Sequence, residues 1–259
     1  MSDPILVSRD GAIATVSLNN PERLNALNRA MWARLGVVIR ELSEDDSLRC
    51  VVVRGAGEKA FAAGADIAEF AAERADAKQA KPYGNLIHET MQAVARCRHP
   101  TVAMIKGACV GGGLEIAAMC DLRVCGQSSR FGIPVNKLGL TMGYGELMGL
   151  LALVGRAVAL EILLEGRVFE ADEAYRKGLV NRVVPDNRVE EEAYATARRI
   201  ADGAPLVIRW HKQFIARLAV TAQISPEEWD EGFACFDTQD YKEGVAAFLE
   251  KRKPDFKGR

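Results

Sequence analysis

The stretch KGACVGGGLEIAAMCD (residues 106–121) places three consecutive glycines before an apolar segment that carries one carboxylate, Glu115. Glycine is a poor helix former, so three together indicate a special requirement of the backbone. A carboxylate among Leu114, Ile116 and Ala117 is costly to bury unless it has a partner or a task. The segment is therefore either a tight turn with an acid at a helix start, or a ligand site built from backbone and acid together.

The position of the glycines favours an anion site at the start of a helix. A helix that begins near Gly112 presents unpaired N–H groups and a partial positive charge, and a residue without Cβ lets a ligand approach closely. Glu115 follows three residues later on the same helical face. Such an arrangement combines an oxyanion-binding amide with a general acid/base. The spacing G-x-x-x-G-G-G matches neither a dinucleotide-binding fingerprint nor a Walker loop.

A second glycine loop, EKAFAAGADI (58–67), also follows a predicted strand and precedes a predicted helix. Its Gly64-Ala65-Asp66 segment offers another free amide at a turn. Oxyanion sites need convergent donors, and two loops that leave neighbouring strands supply one each. On the first loop alone the turn and the site are equally supported; the second loop favours the site.

The order of elements predicts an α/β fold with largely parallel strands. A hairpin turn is expected at Asp10-Gly11, and Asn28 is expected to cap the first helix. The run RCVVVRG (49–55) has the continuous apolar character of a strand buried on both faces. After a helix around residues 66–74 we expect a charged, flexible stretch to about Lys81, and then a further helix.

The second half of the chain is predicted to be mostly helical. We divide the sequence into an α/β core over residues 1–195 and a C-terminal helical region over residues 196–259. Ser225-Pro-Glu-Glu228 has the pattern of a capping box, and the last helix is expected to end by Pro254.

Composition narrows the class of protein. The 259 residues carry a formal net charge of -1, which gives no general attraction to nucleic acid. The six cysteines form no CxxC pair and there are three histidines, so we expect no metal site. No secretory leader and no uninterrupted apolar stretch of transmembrane length is recognised, so we expect a cytoplasmic protein without a membrane partner.

Five motifs occur in order along nearly the whole chain: PERLNALN (21–28), FAAGADI (61–67), GGGLEIAAMCD (111–121), FGIPVNKLGL (131–140) and FLEKRKPDF (248–256). Together they resemble the enoyl-CoA hydratase/isomerase, or crotonase, superfamily. The resemblance implies a spiral of ββα units with C-terminal helices that build a homotrimer, often paired into a hexamer. It also implies an acyl-CoA thioester as substrate and no further cofactor.

The resemblance assigns roles to individual residues. The amides of Ala65 and Gly112 would form the oxyanion hole for the thioester oxygen, and Glu115 would be the catalytic acid/base. The expected contacts to CoA and the acyl group, with the last two from the same or a neighbouring subunit, are Arg23, Leu24, Ala26, Ala63, Asp66, Ile67, Gly111, Pro134, Val135, Tyr144, Phe248 and Lys251.

One position departs from the family pattern. Hydratases of this superfamily typically carry a second glutamate after the proline of FGxPE, and this chain has Val135 there. A valine can neither orient water nor transfer a proton, and loss of a general acid/base commonly costs about 10²–10⁴-fold in rate. Tyr144 and Glu146 are candidates to replace it, whereas the neighbouring Asn136 carries an amide that is no base.

Three kinds of function remain open from the sequence. The first is an enoyl-CoA hydratase-type lyase with a single catalytic glutamate, Glu115. The second is another reaction of the superfamily, namely decarboxylation, isomerisation or hydrolysis of an acyl-CoA. The third is a non-catalytic acyl-CoA-binding protein. Both oxyanion loops are present together with Glu115, which favours catalysis, because binding alone does not need an acid there.

Overall fold

A computed structural model describes residues 3–259 of the chain. Its strands are β1 (Ile5–Asp10), β2 (Ile13–Leu18), β3 (Cys50–Gly55), β4 (Ala60–Ala62), β5 (Thr101–Ile105), β6 (Ala108–Val110), β7 (Leu122–Gly126), β8 (Arg130–Gly132), β9 (Phe169–Glu170) and β10 (Arg182–Val184). Its helices are α1 (Arg29–Glu44), α2 (Phe70–Glu73), α3 (Ala77–Arg96), α4 (Gly112–Met119), α5 (Tyr144–Glu165), α6 (Ala171–Arg176), α7 (Val189–Ala201), α8 (Pro205–Leu218), α9 (Pro226–Glu231) and α10 (Gln239–Leu249).

The strands form two sheets that are wound together. A six-stranded sheet has the order β1-β2-β3-β5-β7-β10, in which only the β1–β2 pair is antiparallel. A four-stranded sheet has the order β4-β6-β8-β9. The strand pairs β3/β4, β5/β6 and β7/β8 each give one strand to each sheet and then lead into a helix. This is the predicted spiral of ββα units.

The apolar run of β3 is buried on both faces, as the sequence predicts. Val51 and Val53 belong to the main core, together with side chains of α1 and α3 such as Leu35 and Met91. Val52 faces the opposite way, into a second apolar cluster with α7. Successive strand residues point to opposite sides, so a strand covered on both sides must be apolar throughout.

The N-terminal elements agree with the sequence, with one exception. The hairpin turn lies at Gly11, where φ is +55°, and the Asn28 side chain accepts a hydrogen bond from the Met31 amide. The predicted flexible stretch to about Lys81 is wrong, because α3 already begins at Ala77 and contains Pro82. A buried apolar face further along the helix holds its first turns in place, which outweighs the hydrogen bond that the proline cannot donate.

The C-terminal part begins within a packed helix. The expected boundary between residues 195 and 196 falls inside α7, whose apolar face packs on the six-stranded sheet, and the division into two regions stays a prediction. Helices α8 to α10 follow. The capping box at Ser225 is present, and α10 ends at Leu249, before Pro254 as expected.

Helix α5 bears on the expected absence of a membrane partner. It spans 22 residues, an 18-residue window within it has a mean hydropathy of 2.1, and of the helices in residues 3–259 it alone is long and apolar enough to cross a membrane, by length and composition. Gly155 has the non-helical angles φ 70° and ψ 174° and divides it into two shorter segments. Since α5 also contacts α3 and α4, it packs onto the core here, and the absence of a membrane partner stays a prediction.

Candidate active site

The loop after β4 is held so that one amide is left free. The Leu27 amide donates to the Gly64 carbonyl at 2.7 Å, and the Asp66 amide donates to the Leu27 carbonyl at 2.9 Å. Residues alternate in direction along an extended chain, so the N–H of Ala65 points away from Leu27. Within residues 3–259 this N–H has no backbone or side-chain acceptor.

The triple glycine forms the start of α4. Gly111 precedes the helix with φ 51° and ψ −124°, angles that suit only glycine, and its carbonyl accepts the Glu115 amide at 2.9 Å. Gly112 is the first helical residue, so its N–H has no acceptor within the helix. A Cβ on Gly113 would lie 2.4 Å from the Ala62 carbonyl oxygen, so glycine is needed there for close packing.

The two glycine loops touch each other directly. A Cβ placed on Gly111 would lie 3.5 Å from the Cα of Gly64. This backbone contact brings the free amides of Ala65 and Gly112 to the wall of one cavity, of about 190 Å³, which Glu115 also lines. The remaining wall is mostly apolar and includes Ile67, Phe70, Ile87, Leu138, Leu140 and Met142.

Glu115 lies at this cavity almost out of contact with water. Its residue is 9% exposed, and burial raises the pKa of its carboxyl group from 4.5 to about 8. The negative charge of Glu146, on the first turn of α5, raises that pKa further, and the positive charge of Arg74 opposes the rise. Two free amides and a carboxylic acid of raised pKa are the groups that stabilise and protonate an enolate.

Comparison with known proteins agrees with this geometry. A model of the enoyl-CoA hydratase/isomerase family matches residues 8–259. The chain belongs to this family. It is an acyl-CoA-processing enzyme of the crotonase type, and the family acts on CoA thioesters.

Three individual proteins illustrate the likeness. The chain is 35% identical to a short-chain-enoyl-CoA hydratase of Clostridium acetobutylicum, with 98% of both chains covered. It is 34% identical to a crotonyl-CoA hydratase of Syntrophomonas wolfei, with 97% of both covered. The crystal structure of an enoyl-CoA hydratase/carnithine racemase from Magnetospirillum magneticum has 51% identity and a TM-score of 0.98, over 100% of this chain and 97% of that one.

Most of the residues expected from the family pattern meet at the cavity. Besides Ala65, Gly112 and Glu115, the lining includes Ala63, Ile67, Gly111, Pro134 and Val135. Val135 lines the cavity and packs against the apolar core, so no carboxylate stands at this position of the wall.

A second group of expected contacts lies beside the 63–66 loop. Nη1 of Arg23 lies 2.8 Å from a carboxylate oxygen of Asp66, so these two predicted CoA contacts form an ion pair. The Leu24 carbonyl accepts the Ala63 amide at 3.0 Å, and Leu24 is exposed. Ala26, two residues after Leu24, is half-buried.

Other expected residues do not reach the cavity. Tyr144 is 91% exposed and is not part of the lining. Phe248, at the end of α10, is 84% exposed, and Lys251 follows it on the surface; their contact with CoA stays a prediction. Asn136 is exposed, and its amide donates to the Leu164 carbonyl at 2.9 Å.

Sequence reasoning missed Trp32, Arg74 and Thr141, three residues of the wall that carry polar groups. Trp32 of α1 and Arg74, just after α2, both line the cavity. No motif marks either position, because each lies on a separate segment that joins the site only through the fold. Within residues 3–259, the indole nitrogen of Trp32 and two guanidinium nitrogens of Arg74 are buried without a hydrogen-bond partner.

The raised pKa of Glu115 predicts a pH-dependent cost in stability. The folded state binds more protons than the unfolded state between pH 4.5 and 8, so the free energy of unfolding falls as pH rises through this window. At pH 7 the cost is on the order of 3 kcal/mol. Glu115→Gln is expected to raise the melting temperature by several degrees at pH 8 and much less at pH 5. Thermal unfolding at both pH values measures this, and an equal shift at both would contradict it.

Proposed function

We propose that this enzyme adds water across the double bond of a 2-enoyl-CoA, and catalyses the reverse elimination. The observation that carries the proposal is that two free amides from separate loops meet at one cavity with a buried glutamic acid. The relatives named as short-chain-enoyl-CoA and crotonyl-CoA hydratases support the same reaction.

The amides act on the developing charge. When the oxygen of water bonds to C3, the electron pair of the C2–C3 double bond moves toward the thioester carbonyl, and an enolate forms. The N–H groups of Ala65 and Gly112 donate to the enolate oxygen, and they are already oriented before the reaction because both loops are fixed. A proton then bonds to C2, and the oxygen at C3 loses one, so atoms and charge balance.

The two carboxyl groups at the cavity divide the proton transfers. Since the pKa of Glu115 is about 8, this residue is protonated at neutral pH and supplies the proton to C2. Glu146 lines the same cavity, and its charge contributes to that raised pKa. We assign it to the proton of the attacking water, in place of the glutamate that Val135 replaces.

Replacing Glu146 tests this division. Glu146→Gln is expected to lower kcat by about 10²–10⁴-fold, because a general base is lost. Removing its charge also lowers the pKa of Glu115, so the alkaline limb of the pH–rate profile is expected to move to lower pH. Glu41→Gln, on the exposed side of α1, is the matched control and is expected to change neither quantity. An unchanged rate and profile in Glu146→Gln would leave Glu115 as the single catalytic glutamate.

The reaction itself is tested with a panel of thioesters. Crotonyl-, malonyl- and 3-hydroxybutyryl-CoA are incubated with the enzyme in isotopically labelled water, and the products are identified by mass spectrometry. Hydration predicts label at C3 of the product from crotonyl-CoA and loss of the conjugated thioester absorbance. Loss of carbon dioxide from malonyl-CoA without hydration would indicate a decarboxylase. Tight binding without turnover of any thioester would indicate a binding protein.

The exposed apolar side chains of the C-terminal helices support a homotrimer or a hexamer. Ile215 and Leu218 on α8, Trp229 on α9, and Phe248 and Leu249 on α10 are each more than half exposed in the single chain. Apolar surface of this extent is typical of a protein–protein interface. Sedimentation velocity is expected to show no monomer at micromolar concentration.

A further inference from the structure

Arg74 is a cation in the cavity wall whose hydrogen-bonding capacity is not used by the protein. Its Nε and Nη2 atoms are buried and have no hydrogen-bond partner within residues 3–259. The side chain also forms no ion pair with any carboxylate of the described chain, although Glu115 and Glu146 line the same cavity. Leaving buried donors unpaired lowers stability, and more so for charged groups.

Two acids that lie shortly before Arg74 in the chain are engaged elsewhere. Glu69 accepts a hydrogen bond from the Arg29 amide at 2.8 Å. Glu73 pairs with the Arg29 guanidinium at 3.1 Å. Arg29 therefore holds both acids of the α2 segment, and the positive charge of Arg74 is left for another partner.

The guanidinium group of Arg74 lies over two aromatic rings. Its Cζ atom lies 3.9 Å from the centre of the Tyr83 ring and 4.6 Å from the centre of the Phe70 ring. Stacking on aromatic rings uses the faces of a guanidinium and leaves its edges for hydrogen bonds. The two unpaired atoms, Nε and Nη2, belong to one edge of the group, and this edge matches the two oxygens of a carboxylate.

The other described residues of the cavity wall near Arg74 offer no second positive charge for a ligand. Ile67, Phe70, Ile87 and Leu138 are apolar, and Arg74 is the one cation among the described lining residues. Trp32, 1% exposed and also in the lining, has an indole Nε1–H without a partner. The buried side-chain nitrogens of this wall that lack a partner within the described residues, those of Arg74 and Trp32, are donors, and a ligand that brings acceptors satisfies them.

We propose that Arg74 selects acyl-CoA substrates whose acyl chain ends in a carboxylate, which the Nε/Nη2 edge of the guanidinium binds side-on. This inference rests on the proposed use of the cavity as the acyl-CoA site, and it adds the class of acyl group. A carboxylate-ended chain gains a charge-assisted, bidentate contact. A methyl-ended chain of equal length leaves the buried donors unpaired.

Equilibrium binding of two unreactive thioesters tests the proposal independently of turnover. Glutaryl-CoA and pentanoyl-CoA have acyl chains with the same number of carbon atoms and differ in ending in a carboxylate or a methyl group. We expect the wild-type protein to bind glutaryl-CoA about 10- to 100-fold more tightly by calorimetry. Arg74→Met is expected to abolish this ratio, and Arg74→Lys to restore part of it, because lysine keeps the charge and loses the planar edge.

The ratio separates recognition from structural support. If Arg74 only supported the fold, Arg74→Met would weaken both ligands equally and leave the ratio unchanged. Arg34→Met on α1, outside the cavity lining, is the matched control and is expected to keep the wild-type ratio. A wild-type ratio near one, or a preference for pentanoyl-CoA, overturns the proposal while enoyl-CoA hydration stands. Failure to bind either thioester overturns both the proposal and the assigned acyl-CoA site.

Discussion

Glu115→Gln is expected to lower kcat for enoyl-CoA hydration by about 10²–10⁴-fold, the usual contribution of a general acid/base. The raised pKa makes this acid suited to the task, since a proton donor works best when its pKa lies near the operating pH. Glutamine keeps the shape of the side chain and removes the transferable proton. The Michaelis constant is expected to change little, because Glu115 acts on the reacting carbon in the transition state. Steady-state kinetics with crotonyl-CoA gives both parameters.

The pH dependence gives this prediction a second readout. Activity that needs protonated Glu115 is expected to fall above about pH 8, where the carboxyl group ionises. In Glu115→Gln the residual rate is expected to lose this alkaline limb. The melting temperature of the variant at pH 8 serves as its folding control, since the substitution is expected to stabilise the protein there. A stable variant with wild-type kcat would remove Glu115 from the mechanism.

The glycine loops could be predicted from the sequence because their signals are local. Strand, glycine turn and helix follow one another within a few residues at both Gly64 and Gly111, so backbone chemistry there can be inferred without knowing the fold. The pairing of the two loops required one further step, namely that both leave neighbouring strands. The structure shows this as the β4–β6 pair and the contact between the two glycines.

The charged residues Arg74 and Glu146 of the cavity lining could not be predicted in the same way. Arg74 follows a four-residue helix in a charged segment, where the sequence pattern indicates a solvated surface. Its role depends on Tyr83 of α3, on Phe70, and on the engagement of neighbouring acids by Arg29. Glu146 has the pattern of a helix-start acid and does occupy the first turn of α5. Its second property, lining the same cavity as Glu115, follows from the spiral and from no local pattern.

Ala65→Pro is expected to lower kcat by about 10²–10³-fold, the usual effect of removing one oxyanion-hole donor. Proline removes the N–H and fixes φ at about −65°, and within residues 3–259 this N–H has no protein acceptor to lose. The structural hydrogen bonds of this loop come from Leu27 and Asp66, so they remain available in the variant. The lost donor acts mainly on the enolate, so kcat is expected to fall more than substrate affinity.

The controls for this variant distinguish the lost donor from a disturbed loop. Ala65→Gly keeps the N–H and is expected to retain activity within about one order of magnitude of the wild type, since the donor that stabilises the enolate is still present. Pentanoyl-CoA binding to Ala65→Pro, measured by calorimetry, shows whether the acyl-CoA site is intact. If that binding is preserved and kcat is also unchanged, the Ala65 amide does not carry transition-state charge. The alternative outcome is that Ala65→Pro loses both binding and kcat while Ala65→Gly keeps both. That result would mean that the proline disturbs the Gly64–Gly111 contact.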